Sequence, residues 1–242
     1  MKPDSDLTFL ATCPNGELRT LCDILTHDKD GELRLSEQMS NSSIYLRCYP
    51  QHMALMAKEV GEELRRFGSN TLMTLYRRGE ADSYKTIVQR VCRKMNVKVC
   101  DDDSTPAMER SLLLSLCESA TQKMSDEELR NMATTAGIPH KNLNRQLLIG
   151  LLMSAIRSNM RLMAKLACYI TSRILQVLLG RSVMMIGLGT VGRYLGTATG
   201  PLGWALLAGW TVKDLASPSY RVIVPAVIQV AAMRARQTSL LT

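Results

Sequence analysis

Acidic residues are nearly missing from the C-terminal part of this sequence. Residues 141–242 hold 12 Lys+Arg and one acid, Asp214, a net of +11, while residues 1–140 hold 18 Lys+Arg and 21 Asp+Glu, a net of −3. Aromatics are also scarce, at 5%. Single-stranded nucleic acid is usually held by stacking bases on aromatic rings. A basic region without them, interleaved with Leu, Met and Ile runs, points to an anionic membrane surface and away from nucleic acid. Histidine is limited to His27, His52 and His140, far apart in sequence, and no HExxH, GxSxG or Walker A motif occurs. The expectation is therefore a non-enzymatic chain, with no catalytic set, metal, cofactor or small-molecule substrate assigned. Seven cysteines, an odd number without CxxC spacing, read as reduced thiols mostly in apolar helical patterns. MKPDSDLTF lacks the apolar core of a secretory signal. Together these place the chain in the cytoplasm, peripheral to or inserted in the inner membrane.

The local signals are helical throughout. Asp4 caps a short first helix through Leu10, and Pro14-Asn15-Gly16 ends it. Leu18, Leu21, Cys22 and Leu25 then recur at helical spacing. Ser36–Arg47 reads as a helix, as does 51–67 with a Met53, Met56, Val60, Leu64, Phe67 stripe, and Gly68 fits a C′ position. Ser69 starts a short helix through Leu72 and Tyr76, and Ser83 caps one whose opposite face is basic (Lys85, Arg90, Arg93, Lys94). Asp101-Asp102-Asp103 leads into Met108–Met124, Ser125 and Glu128 form a capping box, and Gly137 ends that helix. From Asn142 to Leu179 there is no Pro and only Gly150, so one or two long helices are expected. On them Arg157, Arg161 and Lys165 form a basic i, i+4, i+8 stripe. Ser219 caps a final helix that contains Pro225.

Thr26–Glu37 resembles a calcium loop in having Asp28, Asp30, Gly31 and Glu37 at positions 3, 5, 6 and 12. Position 1 is Thr26 and position 9 is Arg34, which favours a plain Asp-Lys-Asp-Gly turn.

Val183–Val212 carries one charge, Arg193, and seven glycines. Gly187, Gly189 and Gly192 spell GxGxxG, but no βαβ unit surrounds them, so a dinucleotide site is set aside. Gly192, Gly196 and Gly200 instead share one helix face suited to close helix packing. With a turn at Gly200-Pro201-Leu202-Gly203, residues 182–214 form a helical hairpin. Its arms would be about 27 Å and about 20 Å long, the first near a bilayer core and the second short of it.

Three segments resemble a known family: Asp6-Leu7-x-Phe9-Leu10-x-x-Cys13 with Glu17-Leu18 and Leu25-Thr26-x-Asp28-Lys29-Asp30-Gly31; Glu63-Leu64-x-x-Phe67-Gly68; and Tyr220-Arg221-Val222-x-Val224-Pro225-Ala226-Val227-Ile228-Gln229. With the glycine-rich stretch between them, the chain is similar to the bacterial YaaW-like family, which is grouped with ubiquinol–cytochrome c chaperone-type proteins. The resemblance implies a bacterial origin and a helical fold, and carries no active site to map.

The expected architecture is all-α, a multi-helix bundle with a C-terminal glycine-rich apolar helical hairpin. It divides into a small helical module (1–40), a helical region (41–140) and a basic apolar region (141–242). The leading functional expectation is membrane association, with the hairpin entering or perturbing an anionic bilayer, as a pore-former would. Gly192, Gly196 and Gly200 would pack helices or a second copy, and Trp204 and Trp210 would sit at the interface. Arg157, Arg161, Lys165, Arg173 and Arg181 would contact anionic lipid. The alternative is a soluble chaperone-like or assembly-factor module with the hairpin permanently buried.

Overall fold

The computed structural model describes residues 3–28, 32–34, 39–69, 81–139, 143–167 and 218–241. Among them the chain is all-α. A 3₁₀ helix, Ser5–Thr12, leads into α1 (Asn15–Thr26), α2 (Ser43–Cys48), a second 3₁₀ turn (Met53–Met56), α3 (Ala57–Gly68), α4 (Tyr84–Lys94), α5 (Thr105–Lys123), α6 (Asp126–Thr135) and α7 (Arg145–Ser158). A short α8 (Met160–Ala167) and the long α9 (Pro218–Leu241) complete the described elements. The stretch Val183–Val212 and the residues Arg173, Arg181, Gly192, Gly196, Gly200, Trp204 and Trp210 lie outside the described residues, as does the expected helix through Leu72 and Tyr76.

The helix starts follow from side-chain caps. Ser42, Ser83, Ser104, Ser125 and Asn144 each accept a bond from the backbone N–H three residues on, and Ser125 and Glu128 complete the capping box. The expected start at Ser36 lies outside the described residues; α2 begins at Ser43, where the Ser42 hydroxyl accepts from Tyr45 N and fixes the first turn. The expected helix over 51–67 is split, with Met53–Met56 in 3₁₀ geometry, yet Met53, Met56, Val60 and Leu64 all point into the core. Gly137 does end its helix region, at φ +71°. Gly68 differs from expectation: it is the last residue of α3, and a Cβ there would fall 2.5 Å from Ile87 Cδ1. Its role is a close α3–α4 crossing.

α9 is the axis of the fold. It packs against α1, α3, α4 and α5. Every residue from Val222 to Met233 is buried. A helix that is apolar all round must be enclosed on all sides, and the run between Arg221 and Arg234 contains a single polar residue, Gln229. Pro225 sits within it without ending it.

Residues 145–167 depart from a single long helix. Asn159 is extended (φ −122°, ψ 101°), and its side chain caps α8 by accepting from Leu162 N at 3.1 Å. α7 and α8 consequently meet at a 109° bend. Arg157 therefore ends one helix while Arg161 and Lys165 lie on the next, so the three do not form a continuous stripe.

The calcium-like loop is a turn at its described residues. His27 and Leu33 form an antiparallel bridge, and the Asp28 carboxylate accepts from Glu32 N at 3.0 Å. Thr26 is buried and bonded to Cys22 O at 2.8 Å, which removes the first candidate ligand; Asp30 and Glu37 lie outside the described residues.

Candidate functional site

Two places concentrate charge. The first is a buried polar joint between the N-terminal segment and α9. Asp4 caps the first 3₁₀ helix, and its other oxygen accepts from Tyr84 N at 2.8 Å and faces Arg65 at 3.4 Å. Two residues on, Asp6 accepts from the Thr105 hydroxyl at 2.5 Å. Arg234 reaches up from α9: it donates to Glu109 at 2.5 Å and to the Asp6 carbonyl at 2.5 Å, and lies 4.0 Å from the Phe9 ring centroid. Tyr84 donates to the other Glu109 oxygen at 2.8 Å. Two residues on from Arg234, Arg236 pairs with Glu17, and Gln229 donates to the Glu17 carbonyl at 3.4 Å.

Burial dominates the protonation of these groups. It raises the Glu109 and Glu17 carboxyls despite their arginine partners, and lifts the Tyr84 phenol well above its usual value. The Cys13, Cys92 and Cys117 thiols are pushed up to about 12, 11 and 12 by burial. Such thiols are protonated at neutral pH and are poor nucleophiles. Among the described residues no group of three His, Cys, Asp or Glu could hold a metal ion. The joint is a brace: matched carboxylates and guanidiniums that tie residues 4–17 to 229–237.

The second place is the α7–α8 elbow, where the sequence-derived cations lie. α7 packs on α5 and α6 through Leu148, Leu152, Met153 and Ile156, and turns Leu147 and Leu151 outward at 50% and 41% exposure. Gly150, between them, has open space where a Cβ would be. Arg157 is exposed and 3.9 Å from Glu118, a weak surface pair. Arg161 donates to the Ser239 carbonyl at 2.8 Å, and Lys165 is exposed. Neither is paired with a carboxylate among the described residues. No single described helix is long and apolar enough to cross a membrane; α7 and α8 meet that test only as a bent pair. The basic face of α4, in contrast, is largely absorbed within the fold: Arg90 binds Asp82 and the Gly68 carbonyl, Arg93 pairs with Asp101 at 3.1 Å, and Lys94 lies over Tyr220.

The joint was not foreseen from sequence. Its one local signal is Glu109, a carboxylate one position after Met108 on the face that also carries Leu112, Leu113 and Leu116.

A family model described as a domain of unknown function, DUF3944, matches residues 1–35, which include the N-terminal half of the joint. The chain is 33% identical over 234 residues to a UPF0174 protein of Helicobacter pylori strain J99, covering 96% of this chain and 92% of that protein. It is 30% identical over 237 residues to the UPF0174 protein YaaW of Escherichia coli O157:H7, covering 96% and 94%. A UPF0174 protein of Helicobacter pylori strain 26695 is 26% identical over 205 residues, 83% of this chain and 97% of that protein. No solved structure matches. None of these relatives' names carries an enzyme activity, and none supports the grouping with respiratory-complex chaperones. Similarity of this strength over nearly the whole length means that the chain belongs to the bacterial UPF0174 family, the YaaW-like group that its terminal motifs resemble.

Proposed function

We propose that this protein is a non-enzymatic membrane-associating module that docks on anionic lipid at the α7–α8 elbow and engages the bilayer further with the glycine-rich stretch. The observation that carries this reading is that α7 exposes Leu147 and Leu151 and the next helix, α8, carries Arg161 and Lys165, which have no carboxylate partner among the described residues. No acid occurs from residue 141 to residue 213, so no acid close in sequence offsets the charge of the chain leading into that stretch.

Magnitudes say why both parts are needed. Arg157, Arg161 and Lys165 would contribute about 3 kcal/mol at an anionic surface. The two half-exposed leucines add about 1–2 kcal/mol together. That sum corresponds to roughly millimolar binding. Stable attachment at the cytoplasmic face of the inner membrane then depends on the apolar stretch, with Trp204 and Trp210 at the interface and Arg173 and Arg181 adding charge. Gly192, Gly196 and Gly200 would provide the face for packing against a second copy.

The test is flotation of the full chain with vesicles of phosphatidylglycerol and phosphatidylcholine. Binding is expected at low salt, weakened but not abolished at high salt. Recovery only in the unbound fraction at low salt refutes the reading. An interaction module without a membrane role draws on a different observation, the exposed Leu46 (74%) and Leu55 (67%). It predicts slow hydrogen exchange across residues 192–212 in the lipid-free protein.

A further inference from the structure

One side of α7 is left outside the fold. Leu147, Gly150, Leu151, Ser154 and Ser158 are all exposed, at intervals of three and four residues that put them on a single helix face. The face is ordered by size along its length. Its two leucines, 50% and 41% exposed, lie in the N-terminal half, and its two serines lie in the C-terminal half. Gly150 leaves open space beside Leu151.

That order selects the sense in which a second α7 can lie against the first. In the antiparallel sense, setting Leu151 level with the partner's Ser154 also sets Leu147 level with the partner's Ser158. The two-fold repeats both pairings, so every leucine meets a small residue, as interdigitating helix faces require. The parallel sense sets leucine on leucine and serine on serine.

Charge selects the same sense. The start of α7 lies beside the acidic first turn of α6: Arg145 pairs with Asp126 and also binds the Gln122 and Met124 carbonyls. That end gathers Asp126, Glu127 and Glu128 against Arg145 and Lys123. At the other end Arg157 is exposed, Arg110 donates to its carbonyl at 2.9 Å, and Glu118 is the one carboxylate nearby, at 3.9 Å. Antiparallel copies bring the acidic end to the basic end twice and oppose their helix dipoles, whereas parallel copies bring like ends together.

We propose that this face binds a second copy of the chain, α7 against α7 in antiparallel two-fold pairing, and so covers Leu147 and Leu151 when no lipid is present. The contact is self-complementary and closes at two copies. A strip about 21 Å long and about 10 Å wide falls well short of the roughly 800 Å² per partner of a stable complex. The dimer is therefore weak and reversible, as a cover that a bilayer can displace must be. Dimerisation needs no lipid, so its test and the vesicle flotation fail independently.

The experiment is sedimentation velocity of the full chain without lipid, from micromolar to near-millimolar concentration. The expected result is a shift from monomer to dimer with no larger species. Leu151→Ala should weaken the dimer at least about tenfold, since each copy loses its central apolar contact. Ser154→Leu is the sharper variant. It adds apolar surface, which would strengthen unspecific association, yet it fills the space that the partner's Leu151 takes, and it should weaken the dimer by a similar factor. Both positions are exposed, so circular dichroism should be unchanged. Leu147→Cys chains mixed with Ser158→Cys chains under oxidation should give a 147–158 disulfide between copies, identified by mass spectrometry. Monomer at every concentration, a tighter dimer from Ser154→Leu, or 147–147 and 158–158 bonds in place of 147–158 overturns the proposal.

Discussion

Replacing Arg234 by Met removes the centre of the buried joint. The Arg234 and Glu109 side chains are 17% and 2% exposed, so solvent screens the pair little. Met keeps the length and the apolar stem but loses the bonds to Glu109 and the Asp6 carbonyl and the contact with Phe9. Removing one partner of a buried pair costs about 3–5 kcal/mol, because the other charge is left desolvated. Against a total of about 5–15 kcal/mol for a folded domain, this is severe, and it corresponds to a Tm drop of roughly 6–20 °C. Urea unfolding followed by far-ultraviolet circular dichroism measures it. Glu109→Gln combined with Arg234→Met should recover at least half of the loss, since Gln still accepts from Tyr84 and carries no charge. A single-variant loss below about 1 kcal/mol, the range of exposed pairs, refutes the brace, as does a double variant no better than Arg234→Met alone. The pH dependence has a definite sign. Burial raises the Glu109 carboxyl above its ordinary value of 4.5. The native state then keeps a proton that the unfolded chain has released, so the associated stability is fully present below the unfolded value and is lost as pH rises through the folded one. Wild type minus Glu109→Gln stability should therefore fall with increasing pH across that window. A rise there contradicts the assignment.

Other expectations rest on single positions. Gly68→Ala should cost about 1–3 kcal/mol by overpacking, because its Cβ would meet three Ile87 carbons between 2.5 and 2.8 Å, and Gly68→Ala with Ile87→Val should recover part of that in thermal melts. Gly137→Ala has open space but φ +71°, so it should cost about 1–2 kcal/mol from backbone strain alone, and Gly137→Asn should cost less. Ser125→Ala breaks the capping box of α6 and should lower stability by about 0.5–2 kcal/mol, with faster amide exchange at Glu128, whose N–H it binds at 3.2 Å. Among the described cysteines, exposed Cys100 should react first with a thiol reagent in the native protein, while Cys13 and Cys117, held near 12, should react only on unfolding; mass spectrometry of the labelled peptides decides this.

The charge asymmetry of the sequence has a structural counterpart only in part. Arg234 and Arg236, in the acid-poor part, find Glu109 and Glu17 in the part that carries the acids. That answers much of the question a basic C-terminal region raises, and it does so inside the protein. Among the described residues Arg161 and Lys165 are left without a carboxylate, which is why the elbow and not α9 carries the proposed surface. The motif residues Asp6, Phe9, Glu17 and Gln229, more than 200 positions apart at their extremes, meet in one joint.

What the sequence determined by itself is the local part. Ser83, Ser125 and the Met53–Leu64 stripe specify helix starts and a core face because capping and helical period act over a few residues. The all-α class follows from those signals. Only the tertiary structure decided that α9 is the enclosed axis, that Gly68 serves a helix crossing and that Asn159 breaks the basic stripe. These depend on partners distant in sequence or on a choice between two locally adequate states: Asn159 could continue a helix or cap the next one, and its capping bond to Leu162 is what the fold adopts. The same limit applies to Glu109. On an apolar helix face a carboxylate is a local conflict, and its resolution by an arginine 125 residues away is visible only once the chain has folded.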